Sequence, residues 1–304
     1  MAASAQNYPA RPLRYIVPQG AGGSSDTLAR IVTQKLAENI GQPVVTDNRP
    51  GATGNIGAEI AARAAPDGHT LLQVATSHAT NPALQTKMPF DPIRDFAPIT
   101  LLAQSPNLWV VHPSLPVKNM RELIALAKSR PGQINFASSG TGSSQHLAGE
   151  LLKALAHIDL VHVPYKGSPP ALIDVLGGRI VVMCSTIAPA MPLVKAGKLH
   201  ALAVTSQKRS AAAPAIPTVA ETGLPGYEAT AWQGVLAPAA TPREIIAKLN
   251  HEIVRAINLP DVRRQLVAQG YAPAGDTVEQ FAQYIKAEIS KWSRVIKAAG
   301  LAAE

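Results

Sequence analysis

Three segments carry residue types that could hold an anion: Pro18-Gln19-Gly20-Ala21-Gly22-Gly23-Ser24-Ser25-Asp26, then residues 75–82 around Thr76 and Ser77, then residues 138–146 from Ser138 to His146. Each follows a short apolar run and leads toward a stretch with helical spacing, so each reads as strand, Gly/Ser/Thr-rich turn, helix. At such a junction the first backbone N–H groups of the helix have no intrahelical acceptor, and the helix dipole is positive there. Glycine lets a ligand approach the backbone, and hydroxyls add donors. A carboxylate is held this way without arginine. A single such turn reads better as a plain helix cap; three in one chain make a binding site as good a reading as capping.

Other chemistries find less support. Asp26 falls in the first turn of its helix, where a carboxylate suits the positive end or orients the loop better than it serves catalysis. Gly51-x-x-Gly54-x-x-Gly57 lacks the Gly-x-Gly opening of a dinucleotide fingerprint, and Gly140-Thr141-Gly142 lacks its third glycine. Neither continues into the Gly-Lys-Ser/Thr of a phosphate loop, so no nucleotide cofactor is indicated. No Gly-x-Ser-x-Gly elbow occurs. Ser143, Ser144 and His146 lie close in sequence, but no acid partner is identifiable; a Ser143/His146 hydrolase is the enzymatic alternative, and a structural His the plainer one. The 8 histidines are scattered and the one cysteine, Cys184, has no partner, which argues against a metal site or a disulfide. Trp109 and Trp232 sit on extended stretches flanking the middle third, as core packing or as an aromatic wall where two lobes meet.

The elements needed to position these turns are legible. Apolar runs at 13–17, 44–45, 71–74, 134–137, 160–164 and 180–184 alternate with helical spacing at 28–40, 58–65, 145–155 and 171–176. Such alternation predicts α/β architecture with parallel strands. A long extended stretch runs from 99 to 111, broken at Ser105-Pro106-Asn107, and a helix is expected over 119–129. Further strands are expected at 199–205 and 232–236, and helices at 244–257, 261–269 and 278–298.

The bulk properties narrow the class. In 304 residues, 46% are hydrophobic, enough for a packed core, and no apolar run reaches the roughly 18 residues of a membrane span. The net charge is +8, but the 28 basic residues are dispersed and aromatics make up 4%, which argues against nucleic acid and leaves anionic solutes. The first residues show no basic and apolar signal regions, whereas Ala3-Ser4-Ala5 has the small-x-small form of a cleavage site; the expectation is a secreted chain whose signal peptide has been removed.

Taken together, the ordered motifs resemble the Bug family of tripartite tricarboxylate transporter solute-binding proteins. The resemblance is carried by residues 15–30, by Asn48-Arg49-Pro50-Gly51-Ala52-Thr53-Gly54-Asn55-Ile56-Gly57, and by Pro66-Asp67-Gly68-His69-Thr70. Residues 136–143 with His146-Leu147, Val163-Pro164-Tyr165-Lys166-Gly167, Leu176-Gly177-Gly178 and residues 217–223 follow in the same order. It implies a two-lobed periplasmic-binding-protein fold of type II character, with lobe one from 1–103 and 229–304 and lobe two from 104–228. Crossing strands are expected near 102–105 and 228–232. It further implies a monomeric, non-enzymatic, cofactor-free periplasmic protein that passes a small organic carboxylate to a membrane transporter. A solute sensor reporting to a signalling partner is the other reading of the same fold.

Carried over onto this chain, the resemblance implies a ligand site of Gln19, Gly20, Ala21, Gly22, Gly23, Ser24, Ser25, Thr76 and Ser77 from lobe one. Ser138, Ser139, Gly140, Thr141, Gly142, Ser143, His146, Tyr165, Lys166 and Gly167 would come from lobe two, with Ser185 and Trp232. Two positions depart from the family pattern. Ser185 stands where an Asp is frequent, and Gln19 where Pro or another small or aromatic residue is frequent. Loss of an acid near Ser185 removes a partner for a ligand amine or hydroxyl, so the expected ligand is an aliphatic dicarboxylate or a less polar, aromatic acid.

Overall fold

A computed structural model describes residues 8–165 and 167–301. The chain opens with β1 (Leu13–Val17), α1 (Ser24–Ile40), β2 (Val44–Asn48), α2 (Asn55–Ala62), β3 (Thr70–Ala75), α3 (Ser77–Leu84) and β4 (Phe96–Ser105). After Pro106 it builds β5 (Asn107–Val111), α4 (Met120–Ser129), β6 (Asn135–Ser138), α5 (Ser144–Ala156), β7 (Val161–Pro164), α6 (Ser168–Leu176), β8 (Val182–Thr186), α7 (Ile187–Lys195) and β9 (His200–Val204). It then returns through β10 (Ala231–Pro238), α8 (Arg243–Asn258), α9 (Pro260–Ala268), β11 (Ala272–Pro273) and α10 (Val278–Ala298).

Two sheets result, one per lobe. Their strand orders are β11-β4-β10-β3-β1-β2 and β7-β6-β8-β5-β9. The same plan occurs twice: β1 lies parallel between β2 and β3, and β6 between β7 and β8. An antiparallel strand then follows, β10 in the first sheet and β5 in the second. In each sheet this antiparallel strand lies next to a point where the chain changes sheets.

The central strands are apolar because helices cover both faces. Tyr15, Ile16 and Val17 of β1 and every residue of β5 are buried. On α1, Leu28, Val32 and Leu36 form one buried stripe, and Gly41 ends the helix at φ 69°, the left-handed cap that glycine adopts freely. A capping box of Thr277 and Gln280 starts α10, which buries Phe281, Ile285, Trp292 and Ile296 against α3 and β4 of lobe one and also touches α5 of lobe two. Two glycines are set by ring contacts. A Cβ on Gly234 of β10 would lie 2.1 Å from the Phe281 ring, and one on Gly149 of α5 would lie 2.2 Å from Phe136.

The structure departs from the sequence expectation in a few places. Residues 75–82 are not a turn leading to a helix: only Thr76 is the junction, and 77–84 are already α3. Side-chain anchors outweigh its poor helix formers: Asn81 donates to Thr53 O and Asn55 Oδ1, and His78 bonds Pro92 O. The short helix α7 occupies a segment between the expected strands at 180–184 and 199–205 for which the sequence reading assigns no element.

Candidate functional site

A cavity of about 450 Å³ lies between the two sheets. Four strand-to-helix junctions open onto it. From lobe one come Ser25, at the start of α1, and Ala75, Thr76, Ser77 and Thr80 around the start of α3. From lobe two come Gly142, Ser144 and Gln145 at the start of α5, and Thr186, Ile187 and Ala188 at the start of α7. All four follow the carboxyl ends of parallel strands, the edge where open α/β sheets place ligands. The remaining wall comes from the crossings and the chain's last third: Ser105, Ala231, Trp232, Gln233, Gln269, Gly270 and Tyr271.

Among the described residues lining the cavity none is charged. Its attraction for an anion therefore rests on the N-termini of α1, α3, α5 and α7, each carrying roughly half a positive charge, and on hydroxyl and amide donors. The +8 net charge adds a favourable long-range field.

The glycine turns are held by acceptors behind them. In lobe one Asp26, 3% exposed, accepts from the Gly22 N–H (2.9 Å), from Arg30 Nε (2.9 Å) and from the Asn48 side-chain amide (3.0 Å). Those bonds, Arg30 foremost, hold its carboxyl below the usual carboxylate range. In lobe two His146 Nδ1 accepts from the Gly142 N–H at 3.0 Å, four residues apart as in the Gly22–Asp26 pair. The His146 ring is 2% exposed and stacks on His162 with centroids 3.8 Å apart. Burial lowers both imidazoles to about 4, with His162 adding to the effect at His146. A neutral Nδ1 has the lone pair that the Gly142 bond requires.

Trp232 is fixed at two points. Its backbone N–H donates to Thr76 Oγ1 at 3.1 Å. Its indole N–H donates to Glu288 Oε2 at 3.0 Å, and the Trp292 indole reaches the same oxygen at 2.9 Å. Lys291 pairs with the other oxygen of that carboxylate, and its Nζ also reaches Glu228 O. Trp109, in contrast, is fully buried in lobe two, donating to Tyr227 Oη at 3.2 Å; it is core and not an inter-lobe wall.

Of the residues implied by the sequence, Ser25, Thr76, Ser77, Gly142 and Trp232 line the cavity. Gln19, Gly20, Ala21, Gly22 and Gly23 form the turn beside it, and Ser24 is the first residue of α1. Ser138 is buried behind the second turn, bonded to His162 Nε2 at 2.6 Å, and Ser139 donates to Gln145 Oε1 at 2.7 Å. Gly140 and Thr141 lead into Ser143, whose hydroxyl caps α5 by accepting from the His146 N–H and donating to Gly140 O. That hydroxyl is committed to the cap, and His146 bonds Gly142 through Nδ1 while its Nε2 faces Glu150 at 3.7 Å, so Ser143 and His146 do not form a nucleophile–base pair. Tyr165 donates to Asp174 at 2.7 Å, away from the cavity, and Gly167 precedes α6. Lys166 lies outside the described residues.

Ser185 is fully buried inside β8, its hydroxyl without a partner among the described residues; the neighbouring Thr186 is the one that lines the cavity. Side chains alternate along a strand, so a shift of one residue reverses the face. The repeated sheet plan is the signal that identifies Thr186: Thr76 follows β3 into α3 as Thr186 ends β8 before α7. Gln233, Gln269 and Tyr271 carry no local motif and reach the cavity only through the fold.

Comparison with known proteins agrees with this architecture. The family described as the tripartite tricarboxylate transporter family receptor (TctC) matches residues 28–301. Protein BugT of Bordetella pertussis is 38% identical over 299 residues, covering 98% of this chain and 92% of BugT. The structure of R. palustris Rpa4515 with adipate is 38% identical, with a TM-score of 0.78 over 97% of this chain and 99% of that one. A TctC solute-binding protein from Polaromonas, solved without ligand, is 28% identical with a TM-score of 0.87, covering 96% of this chain and 99% of that one. The chain belongs to the TctC family of tripartite tricarboxylate transporter receptors, the Bug-type solute-binding proteins, and is a binding protein rather than an enzyme.

Proposed function

We propose that the protein is an extracytoplasmic receptor that captures a small carboxylate, an aliphatic dicarboxylate or an aromatic acid, between its two lobes. It works in the periplasm as a monomer and delivers the solute to a membrane transporter. The observation that carries this reading is the convergence of four helix N-termini on one cavity between the sheets whose described lining carries no charge. The adipate found on a relative 38% identical supports the ligand class.

In this reading the lobes are residues 1–103 with 229–304, and residues 104–228. The acid docks on lobe one, at Ser25, Thr76 and Ser77, and lobe two rotates onto it through Gly142, Ser144, Gln145 and Thr186. The ligand favours closure only by binding the closed form better. A micromolar affinity corresponds to about 8 kcal/mol. A handful of charge-assisted hydrogen bonds with burial of the ligand's apolar part supplies it after desolvation.

Gly142→Val tests the site. Gly142 has φ 76°, and a Cβ there meets only Leu84 Cδ1 at 3.9 Å, so the fold tolerates the volume while the turn is strained out of shape. Calorimetric affinity for the acid bound by the wild type is expected to fall at least tenfold, with the melting temperature lowered by no more than a few degrees. Unaltered affinity would remove this turn from the site.

A further inference from the structure

Beneath the cavity a buried relay of side chains links four elements of lobe one. Gln73 of β3, 1% exposed, donates through Nε2 to Ser25 O (2.8 Å) and to Gln233 Oε1 (2.6 Å). Its Oε1 accepts from the Tyr15 hydroxyl at 3.0 Å. Gln233 of β10, 7% exposed, donates through Nε2 to Tyr271 Oη at 2.9 Å.

The direction of every bond follows from its ends. The Ser25 carbonyl can only accept, so the Gln73 atom facing it is the amide nitrogen. Burial pushes the Tyr15 phenol well above its ordinary pKa, so it stays protonated and donates to the Gln73 oxygen. Both hydrogens of Gln73 Nε2 are then used, and the second meets Gln233 Oε1. Gln233 is therefore locked with its oxygen toward Gln73 and its nitrogen toward Tyr271. An amide nitrogen has two hydrogens, and among the described residues only Tyr271 takes one. Gln233 lines the cavity, 93% buried, with its remaining donor unpartnered. A buried donor left without an acceptor costs free energy unless ligand or water supplies one.

Resting on the receptor reading above, we propose that Gln233 determines specificity: its free amide hydrogen binds an oxygen acceptor of the solute and selects organic acids that carry no ammonium group. The rest of the cavity reinforces this. Ammonium needs an acceptor, preferably an anion. The described lining offers no Asp or Glu, four positive helix ends point at the ligand, and the locked amide presents nitrogen rather than oxygen. Gln73, acting through Gln233, is a positioning residue.

The test uses acid pairs that differ only by an α-ammonium: succinate and aspartate, glutarate and glutamate, adipate and 2-aminoadipate, phenylacetate and phenylglycine. Titration calorimetry on the wild type is expected to show at least one ammonium-free acid bound at least 100-fold more tightly than its amino counterpart. Gln233→Met keeps the volume and loses the donor, and is expected to weaken that acid 10- to 100-fold. Gln233→Glu is isosteric and keeps an acceptor for Gln73, so it folds even if the Met variant does not; it is expected to weaken the acid more than 100-fold and to narrow the gap to the amino acid. Equal or tighter binding of the amino counterpart by the wild type, or an acid affinity within twofold of wild type in both variants, would overturn the proposal while leaving the receptor reading intact. A wild type that binds none of the acids would overturn both.

Discussion

Glu288 joins the ligand wall to the outer helix of lobe one, and its replacement is the most informative stability experiment. The carboxylate is 4% exposed and accepts two indole N–H groups on one oxygen, from Trp232 at 3.0 Å and Trp292 at 2.9 Å. Both indoles are 1% exposed, so neither finds water if the acceptor is lost. Glu288→Leu orphans two buried donors at about 1–3 kcal/mol each, roughly 2–6 kcal/mol together. The Lys291 pair contributes little beyond this, because Lys291 is partly exposed and turns to solvent. Glu288→Gln keeps an oxygen for the indoles and loses only the ionic partner, a cost of about 1 kcal/mol. Urea denaturation of the ligand-free protein should rank wild type, Gln and Leu in that order, with the Leu step at least twice the Gln step. Ligand affinity should fall in the Leu variant as well, since Trp232 loses the bond that sets its ring. Equal small losses in both variants would refute the reasoning, because the indoles would then have been satisfied elsewhere.

Gly234→Ala places a methyl 2.1 Å from the Phe281 ring and should cost about 1–3 kcal/mol by overpacking, with Phe281→Leu restoring part of the loss in the double variant. Acid should weaken the fold through three histidines: burial lowers His78, His146 and His162 to about 4 in the folded state. The unfolded chain, with His near 6.5, binds protons first, so stability is full above about pH 6.5 and falls as pH drops toward 4. Melting temperature against pH reads this directly, and His162→Gln should flatten the slope.

Much of the fold was legible because its signals are local. Apolar runs with helical stretches between them give the strand and helix alternation, and the helix expected over 278–298 is α10. The misread elements are those where distant contacts override local preference. Asn81 and His78 hold α3 to the loop at Thr53 and Pro92. The unassigned helix α7 carries Pro189 in its first turn, where a missing N–H costs nothing.

The site divides the same way. Ser25, Thr76, Ser77 and Gly142 stand at junctions whose Gly/Ser/Thr content is visible in any reading of the chain. Thr186 was displaced to Ser185 because strand facing is decided by register and not by composition. Gln233 and Tyr271 meet only through the pairing of β10 with β3 and β4 and of β11 with β4, and nothing near either residue announces it.

The central claim is that a cavity with no charged side chain among its described lining holds a carboxylate by helix ends and amides. Thermal-shift measurement against paired organic acids and their neutral amides tests it most directly. A ligand at one hundred times its dissociation constant adds about 2.7 kcal/mol, a shift of a few degrees for a protein of this size. The account predicts such a shift for at least one mono- or dicarboxylate and none for its amide. Shifts from amides or cations, with every acid silent, would contradict it.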